Sequence, residues 1–419
     1  MISTGKQPMS VMTFCAIMSL SLIVNLPGLA VTPMLGTLHK IFPDTTQIED
    51  QLLTVLPNLL IIPFVLLSGK LSLARHKKRI IVTALAIFCI SAIGYMFART
   101  MAMLIIISCL LGCGTGLLIP FSTGLIADNF CGSRRLRVMG LQSGISNTVV
   151  MLATFIVSWL CGARNWHMPF AVYLIGLVPL SLSFWLGGMS QSAPDSDNSA
   201  CDVSDNASLA GKDVSSTGTP RVRDGFYVGR IAALTGVYFF ITFATICISY
   251  YCPYLVEKEG WSDTLTGTTT ALYFLFIFLP GYFLSWFVKH LKGSCFFFAA
   301  VCMTAGIGLF AFIPSDLSLC VGAGLAGLGY GICQPILYDK ASVAVKSENK
   351  ATLSLALVLT ANYLAIVLTP FIIDLLRNIL HAGKVTGFAF IVCFALLVIF
   401  TVITAIKRKS FVFMVGDNK

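Results

Sequence analysis

Twelve apolar stretches run through the chain, at roughly 10–32, 49–73, 80–98, 101–126, 138–160, 168–188, 229–253, 266–288, 294–313, 317–341, 351–374 and 385–406. Most are about 20 residues long, the length of helix that crosses a hydrocarbon core about 30 Å thick. Inside that core a segment must satisfy its own backbone hydrogen bonds, which a helix does and a lone strand does not. Of the 419 residues, 57% are hydrophobic and 11% charged, against about 25% charged in an average soluble domain. A water-soluble fold would have too few polar groups to cover itself. The expectation is an all-α integral membrane protein of twelve transmembrane helices, embedded in a lipid bilayer.

The formal net charge of +10 raises nucleic acid as a partner until the charges are placed. With the N-terminus inside, 22 of the 28 Lys and Arg fall in inner segments; only Lys40, Arg99, Arg164, Lys258, Arg377 and Lys384 fall in outer loops. This positive-inside bias puts both termini in the cytoplasm and makes the basic charge a matter of topology. No nucleic acid is needed to explain it. Lys6 precedes the first apolar run, but no clean small-x-small cleavage site ends that run and many spans follow, so the first helix is expected to be retained. The expected location is the cytoplasmic (inner) membrane, multi-pass. The 14 cysteines are scattered singly without Cys-x-x-Cys, and the five histidines sit at segment ends or in loops. Neither a disulfide framework nor a metal site nor any cofactor is expected.

One pattern occurs twice. Gly112, Gly114 and Gly116 precede Pro120, and Gly327, Gly329 and Gly331 precede Pro335; both copies read G-x-G-x-G-x-x-x-P, 215 residues apart. A fixed offset of half the chain marks internal duplication. The same offset pairs Asn147 with Asn362, and a near one pairs Pro63 with Pro280. Residues 190–224 are rich in Ser, Asp, Gly and Asn, cannot build a core, and read as a disordered cytoplasmic linker at the seam. The organisation expected is a six-helix bundle at 1–189, a linker at 190–226, and a second, pseudo-symmetric six-helix bundle at 227–419 with a short basic tail. Gly322, Gly324 and Gly327 spell G-x-G-x-x-G, but a nucleotide fingerprint needs a preceding strand and an acid about 20 residues on, and neither is present. Helix packing is the competing role. Gly112 and Gly116, and Gly327 and Gly331, are four apart and share a helix face on which small residues let backbones approach. Pro120 and Pro335 then bend their helices.

Twelve spans in two sixes, a long central linker and a basic loop after the second span together resemble the major facilitator superfamily, over nearly the whole chain. That family's loop motif G-x-x-x-D-R-x-G-R-R aligns with Gly69 through Lys78: the glycine and the closing basic pair Lys77 and Lys78 remain, while Leu73 replaces the acid and His76 the second glycine. Asp128 through Arg134, Arg135 and Arg137 resembles its loop between helices four and five. The resemblance implies a secondary transporter in which helices one, four, seven and ten line a central path, with substrate near mid-membrane between the halves. There are departures. Ser108 stands where proton-coupled members often carry an arginine, the span 138–160 lacks proline, and helix one carries Asn25 where some multidrug antiporters have an acid nearby.

Polar stripes at helical spacing appear in those four helices independently: Ser21, Asn25, Gly28 and Thr32; Ser108, Thr115 and Ser122; Tyr238, Thr242, Thr245 and Ser249; Tyr330, Gln334 and Tyr338. Serine and threonine in helices commonly bond back to their own backbone, whereas amides in hydrocarbon need partners. The substrate-cavity candidates are therefore Asn25, Asn58, Gln142, Tyr238, Thr242, Thr245, Tyr330, Gln334 and Asn362, with bonding between helices as the alternative role. Asp339 and Lys340 stand near the inner end of helix ten, where the duplicate positions are Gly124 and Leu125. Lys340 either snorkels at the interface, or the pair forms a gate or protonation switch together with Arg75, Lys77, Lys78, Asp128 and Arg135.

The function expected is secondary active transport of a small organic solute by alternating access, export slightly favoured over uptake, by a monomer, with a proton or ion as the candidate coupling partner. A multidrug–proton antiporter is the alternative. An enzyme is not expected, for want of clustered His, Asp, Glu or Cys at one depth. A non-transporting sensor on the same fold is the alternative of another class; deleting most of 190–224 would silence a sensor and spare a transporter.

Overall fold

The computed structural model describes residues 2–3, 8–27, 41–42, 47–72, 77–130, 132–160, 166–188, 222–223, 226–261, 263–345, 351–380, 387–407, 410 and 412–413. Each expected span contains a helix, but the first ends at Leu22, so Asn25 lies in the turn beyond it and not on the expected helical stripe. The first set is α1 Val11–Leu22, α2 Gln47–Leu71, α3 Lys77–Phe97, α4 Met101–Asn129, α5 Gly132–Leu160 and α6 Met168–Trp185. The second set is α7 Val228–Lys258, α8 Asp263–Leu291, α9 Cys295–Phe312, α10 Asp316–Val343, α11 Ala351–Ile379 and α12 Phe388–Ile406. Ten are long and apolar enough to cross a membrane, and α1 and the Val55–Leu71 part of α2 are shorter apolar helices. The fold is all-α, two pseudo-symmetric six-helix bundles, with two small additions. Two-residue strands β1 Ile2–Ser3 and β2 Pro8–Met9 pair antiparallel, as do β3 Val222–Arg223 and β4 Phe226–Tyr227. The second pair lies at the end of the expected linker, where the Tyr227 N–H donates to Ala344 O at 3.4 Å.

Side-chain caps start two of the long helices. Thr100 Oγ1 accepts from the Met103 N–H at 3.3 Å, and Ser315 and Ser318 cap one another's backbone at the start of α10; each supplies a partner to an otherwise orphaned N–H. The sixth span is not a regular α-helix throughout. Met168–Gly176 and Ser183–Gly188 wind as 3-10 turns on either side of a short α-helical stretch, Leu177–Leu182. In the first bundle Tyr95 stacks on Phe170 at 4.6 Å and on Tyr173 at 5.4 Å, which seats α3 on α6. Exposed Ile90, Ile106, Phe371, Ile399 and Ile406 are on the outside, where lipid replaces water.

The duplicated glycines explain why the helices sit so close. A Cβ on Gly112 would lie 2.6 Å from Pro57 O, and one on Gly116 would lie 2.9 Å from Ile61 O, both on α2. In the second bundle Gly327 meets Tyr273 O, and a Cβ on Gly331 would lie 2.5 Å from Ile277 O, both on α8. The middle glycine works on the other side. Gly114 abuts Phe88 N and Ala84 O of α3, and Gly329 abuts Ala299 O of α9. Residues two apart on a helix point in nearly opposite directions, so G-x-G-x-G wedges one helix between two neighbours. Pro57 and Tyr273, Ile61 and Ile277, and Ala84 and Ala299 keep the spacing of the motif copies to within one residue, so the duplication extends to the contacts themselves.

The halves touch through two matching seams. On α5 and α8, a Cβ at Gly281 would lie 2.5 Å from Gly140 O and 3.1 Å from Gly144 Cα. On α2, α4 and α11, a Cβ at Gly69 would lie 2.5 Å from Ala356 Cβ, and Gly124 packs directly on the Thr352 side chain. All these residues lie toward the end of the bundle that carries Lys77, Arg134, Arg135, Arg230 and Lys340, here termed the basic end.

Candidate functional site

A hydrogen-bonded cluster joins α7, α10 and α11 and reaches across to α5. The periodicity of α10 places Tyr330, Gln334 and Tyr338 four apart on one face, and α7 presents Tyr238 and Thr242 the same way. Tyr238 Oη and Tyr338 Oη share a hydrogen bond at 2.8 Å. Gln334 Nε2 donates to Tyr338 Oη at 2.9 Å and to Tyr238 Oη at 3.3 Å. Its carbonyl oxygen accepts from Ser143 Oγ of the other half at 2.5 Å. Deeper in, Asn362 Oδ1 accepts from Thr242 Oγ1 at 2.9 Å and from Tyr330 Oη at 3.1 Å. All these side chains are buried, and burying such groups without partners would cost several kcal/mol.

The cluster has two levels. At about 1.5 Å per residue from the basic ends of their helices, Ser143, Tyr238 and Gln334 lie about 14–17 Å in. Asn362, Tyr330 and Thr242 lie about 17–21 Å in on the same rise, close to the midpoints of α7 and α10. Among the described residues, every Asp, Glu, Lys and Arg of a helix lies within six residues of its end. The middle of the bundle is polar without charge.

Two ion pairs that join different helices lie at the basic end, whereas Arg377 with Asp374 and Lys258 with Glu259 pair locally at the opposite end. Arg135 Nε donates to Asp339 Oδ1 at 2.6 Å, with 14% and 22% of the two side chains exposed, so α5 of one half is tied to α10 of the other. Lys340, beside it, is half-buried. Lys77 Nζ meets Asp128 Oδ2 at 2.8 Å inside the first half. That pair is more open to solvent, where ion pairs contribute about 0–1 kcal/mol. Lys78 Nζ donates to Phe184 O at 3.2 Å. Arg75 lies outside the described residues, as do Gly28 and Thr32.

Not every expected residue joins the cluster. Thr245 turns its hydroxyl back to Ile241 O at 2.8 Å. Gln142 Nε2 donates to Thr123 Oγ1 at 3.0 Å and Ser122 Oγ at 3.1 Å, joining α5 to α4 within its own half. Asn25 is half-buried, and among the described residues no hydrogen bond links it to the cluster. Asn58 is half-buried on α2. The duplicates Asn147 and Asn362 differ: Asn147 donates to Ser143 O on its own helix at 2.8 Å. Sequence reasoning overlooked Ser143, the residue that bridges the halves, and Tyr363, whose hydroxyl donates to Val24 O at 3.4 Å. Each is adjacent to a cavity candidate, Gln142 and Asn362, and the polar run of α5 continuing through Ser146 is the sequence signal for Ser143.

If the cluster is a closed set of bonds, Gln334→Leu should cost roughly 1–3 kcal/mol of stability, because Ser143 and two tyrosine hydroxyls lose a partner, and Tyr330→Phe about 1 kcal/mol. Thermal unfolding of the two variants in one detergent checks the order. Equal, small shifts would mean that water already fills the cluster.

Twelve helices in two matching bundles, meeting over an uncharged polar core, define a polytopic membrane protein of the two-bundle transporter class. The sequence pattern of the Major Facilitator Superfamily matches residues 9–370. The chain belongs to that superfamily. Its fold is shared with the proton:xylose symporter XylE bound to 6-bromo-6-deoxy-D-glucose, at TM-score 0.69 and 15% identity over 95% of both chains. The human organic anion transporter MFSD10 (TETRAN) is similar at TM-score 0.68 and 16% identity, over 93% of this chain and 100% of that one. In sequence, the Multidrug transporter protein MdtP of Bacillus subtilis (strain 168) is 27% identical over 130 residues, which is 30% of this chain and 24% of that protein.

Proposed function

We propose that the protein is a secondary active transporter that moves a small, uncharged or weakly amphipathic organic solute across the cytoplasmic membrane by alternating access. The observation that carries this reading is the uncharged polar core at mid-depth, placed where the two halves meet. A charged substrate would call for an opposite charge there, and burying one costs on the order of 2.5–3.5 kcal/mol even on insertion scales. Tyr330, Thr242 and Asn362 hold the solute, with Asn25 on the facing wall. Ser143 and Gln334 with Tyr238 and Tyr338 form the floor beneath it, and Arg135 and Asp339 close the basic end below the floor. The basic end faces the cytoplasm, and both termini lie there. Export is slightly favoured over uptake, and the monomer is the working unit.

A multidrug–proton antiporter is the second reading, and the stretch shared with MdtP favours it. One experiment separates the two. The purified protein is screened for thermal shift against uncharged polyols, aromatic amphiphiles and lipophilic cations, then placed in liposomes with a pH-sensitive dye inside. Ligands confined to uncharged compounds are expected. Proton movement driven by lipophilic cations would give the antiporter reading, and ligands confined to anions would overturn both.

A further inference from the structure

Two of the cysteines that stand far apart in the chain meet inside the second bundle. Cys247 of α7 and Cys393 of α12 are both fully buried, and their sulfur atoms are 3.2 Å apart. This contact is closer than two sulfurs ordinarily pack, and a covalent S–S bond of about 2.05 Å needs only about 1.2 Å of further approach. The meeting is part of a regular seam. Seven residues earlier on α7 and seven later on α12, the rings of Phe240 and Phe400 meet at a tilt with centroids 5.4 Å apart. Two antiparallel helices thus present matched residues two turns apart, with the cysteine pair at one step of the register. On α12 the same face continues through buried Leu397 and Thr404. That helix is tied to α9 by the hydroxyls of Thr304 and Thr401 at 2.8 Å.

We propose that Cys247 and Cys393 are a reversible disulfide site, oxidised by hydroperoxides that partition into the bilayer. The balance is simple. One thiol sulfur attacks the peroxide oxygen, the O–O bond breaks, and an alcohol leaves as the sulfenic acid forms. The second thiol then displaces water, so two thiols and one hydroperoxide give one disulfide, one alcohol and one water. The oxidant must be uncharged and small or lipid-soluble, because neither sulfur is open to solvent. Cys247 is two residues from Thr245, so it points away from the face of α7 that carries Tyr238 and Thr242. A bond there fastens the back of α7 to α12 and stiffens the wall of the polar core without entering it.

The full-length protein in liposomes is treated with tert-butyl hydroperoxide, denatured, alkylated and digested without reductant. Expected are two fewer alkylatable thiols and a cross-linked peptide containing Cys247 and Cys393, reversed by dithiothreitol. The cross-link should be absent from Cys247→Ala and equally from Cys393→Ser, so a folding failure in one variant leaves the other to decide. Backbone hydrogen exchange in α7 should slow in the oxidised protein. Full alkylation of both thiols after treatment, a cross-link to any other cysteine, or oxidation to sulfonic acid without a cross-link would each overturn the proposal.

Discussion

Gly331→Leu is expected to prevent the second bundle from assembling. A Cβ at this position already falls 2.5 Å from Ile277 O and 2.9 Å from Ile277 Cα. Those are backbone atoms of a packed helix, so relief requires α8 and α10 to separate along their length. Overpacking costs about 1–3 kcal/mol where side chains can shift; here nothing flexible is in the way, and the cost should reach about 3 kcal/mol or more. Gly236→Ala is the control. It lies in the interior of α7 with nothing within 4 Å of an added Cβ, and replacing a helical glycine by alanine gains up to about 1 kcal/mol. Size-exclusion profile and unfolding midpoint should separate the two clearly. A monodisperse Gly331→Leu with an unchanged midpoint would show that the tight α8–α10 packing is dispensable.

Asp339→Asn should shift the protein toward a state open at the basic end. The pair it forms with Arg135 is largely shielded from solvent, and removing one partner leaves the other's charge in a poorly solvated place. The penalty is up to about 3 kcal/mol, the low end of the range for breaking buried pairs, or about a hundredfold in a conformational equilibrium. Hydrogen exchange in the first turns of α5 and the last turns of α10 should quicken, and the reversed pair Arg135→Asp with Asp339→Arg should restore the slower exchange. In liposomes, the asparagine variant should lose concentrative transport and keep equilibrative exchange if Asp339 also carries the coupling proton. Unaffected pH-driven uptake would remove that role and leave the gate.

The duplicated motif shows how far residue order reaches. Spacing alone placed Gly112 with Gly116 and Gly327 with Gly331 on one face, and α2 and α8 are packed there. The middle glycines carried no periodic signal, because a single small residue on the opposite face is indistinguishable from a lipid-facing one until a third helix is seen against it. Asp339 was conspicuous as an acid near a helix end, but its partner is 204 residues away in sequence. No local pattern encodes that separation. The same holds for Ser143 with Gln334, and for the two cysteines, which stand singly in the sequence.

What the sequence by itself determined is everything governed by the bilayer as solvent. Span number, helical state, the basic end and the two-fold repeat follow from apolar length, charge placement and offset, which are properties of the chain taken in order. What only the tertiary structure decided is which polar groups are partners. In α5 and α11 the duplicates Asn147 and Asn362 occupy equivalent places, yet one bonds to its own helix and the other to Thr242 and Tyr330. An amide in hydrocarbon takes the partner that packing brings within about 3 Å, and that partner depends on how helices distant in sequence turn toward one another.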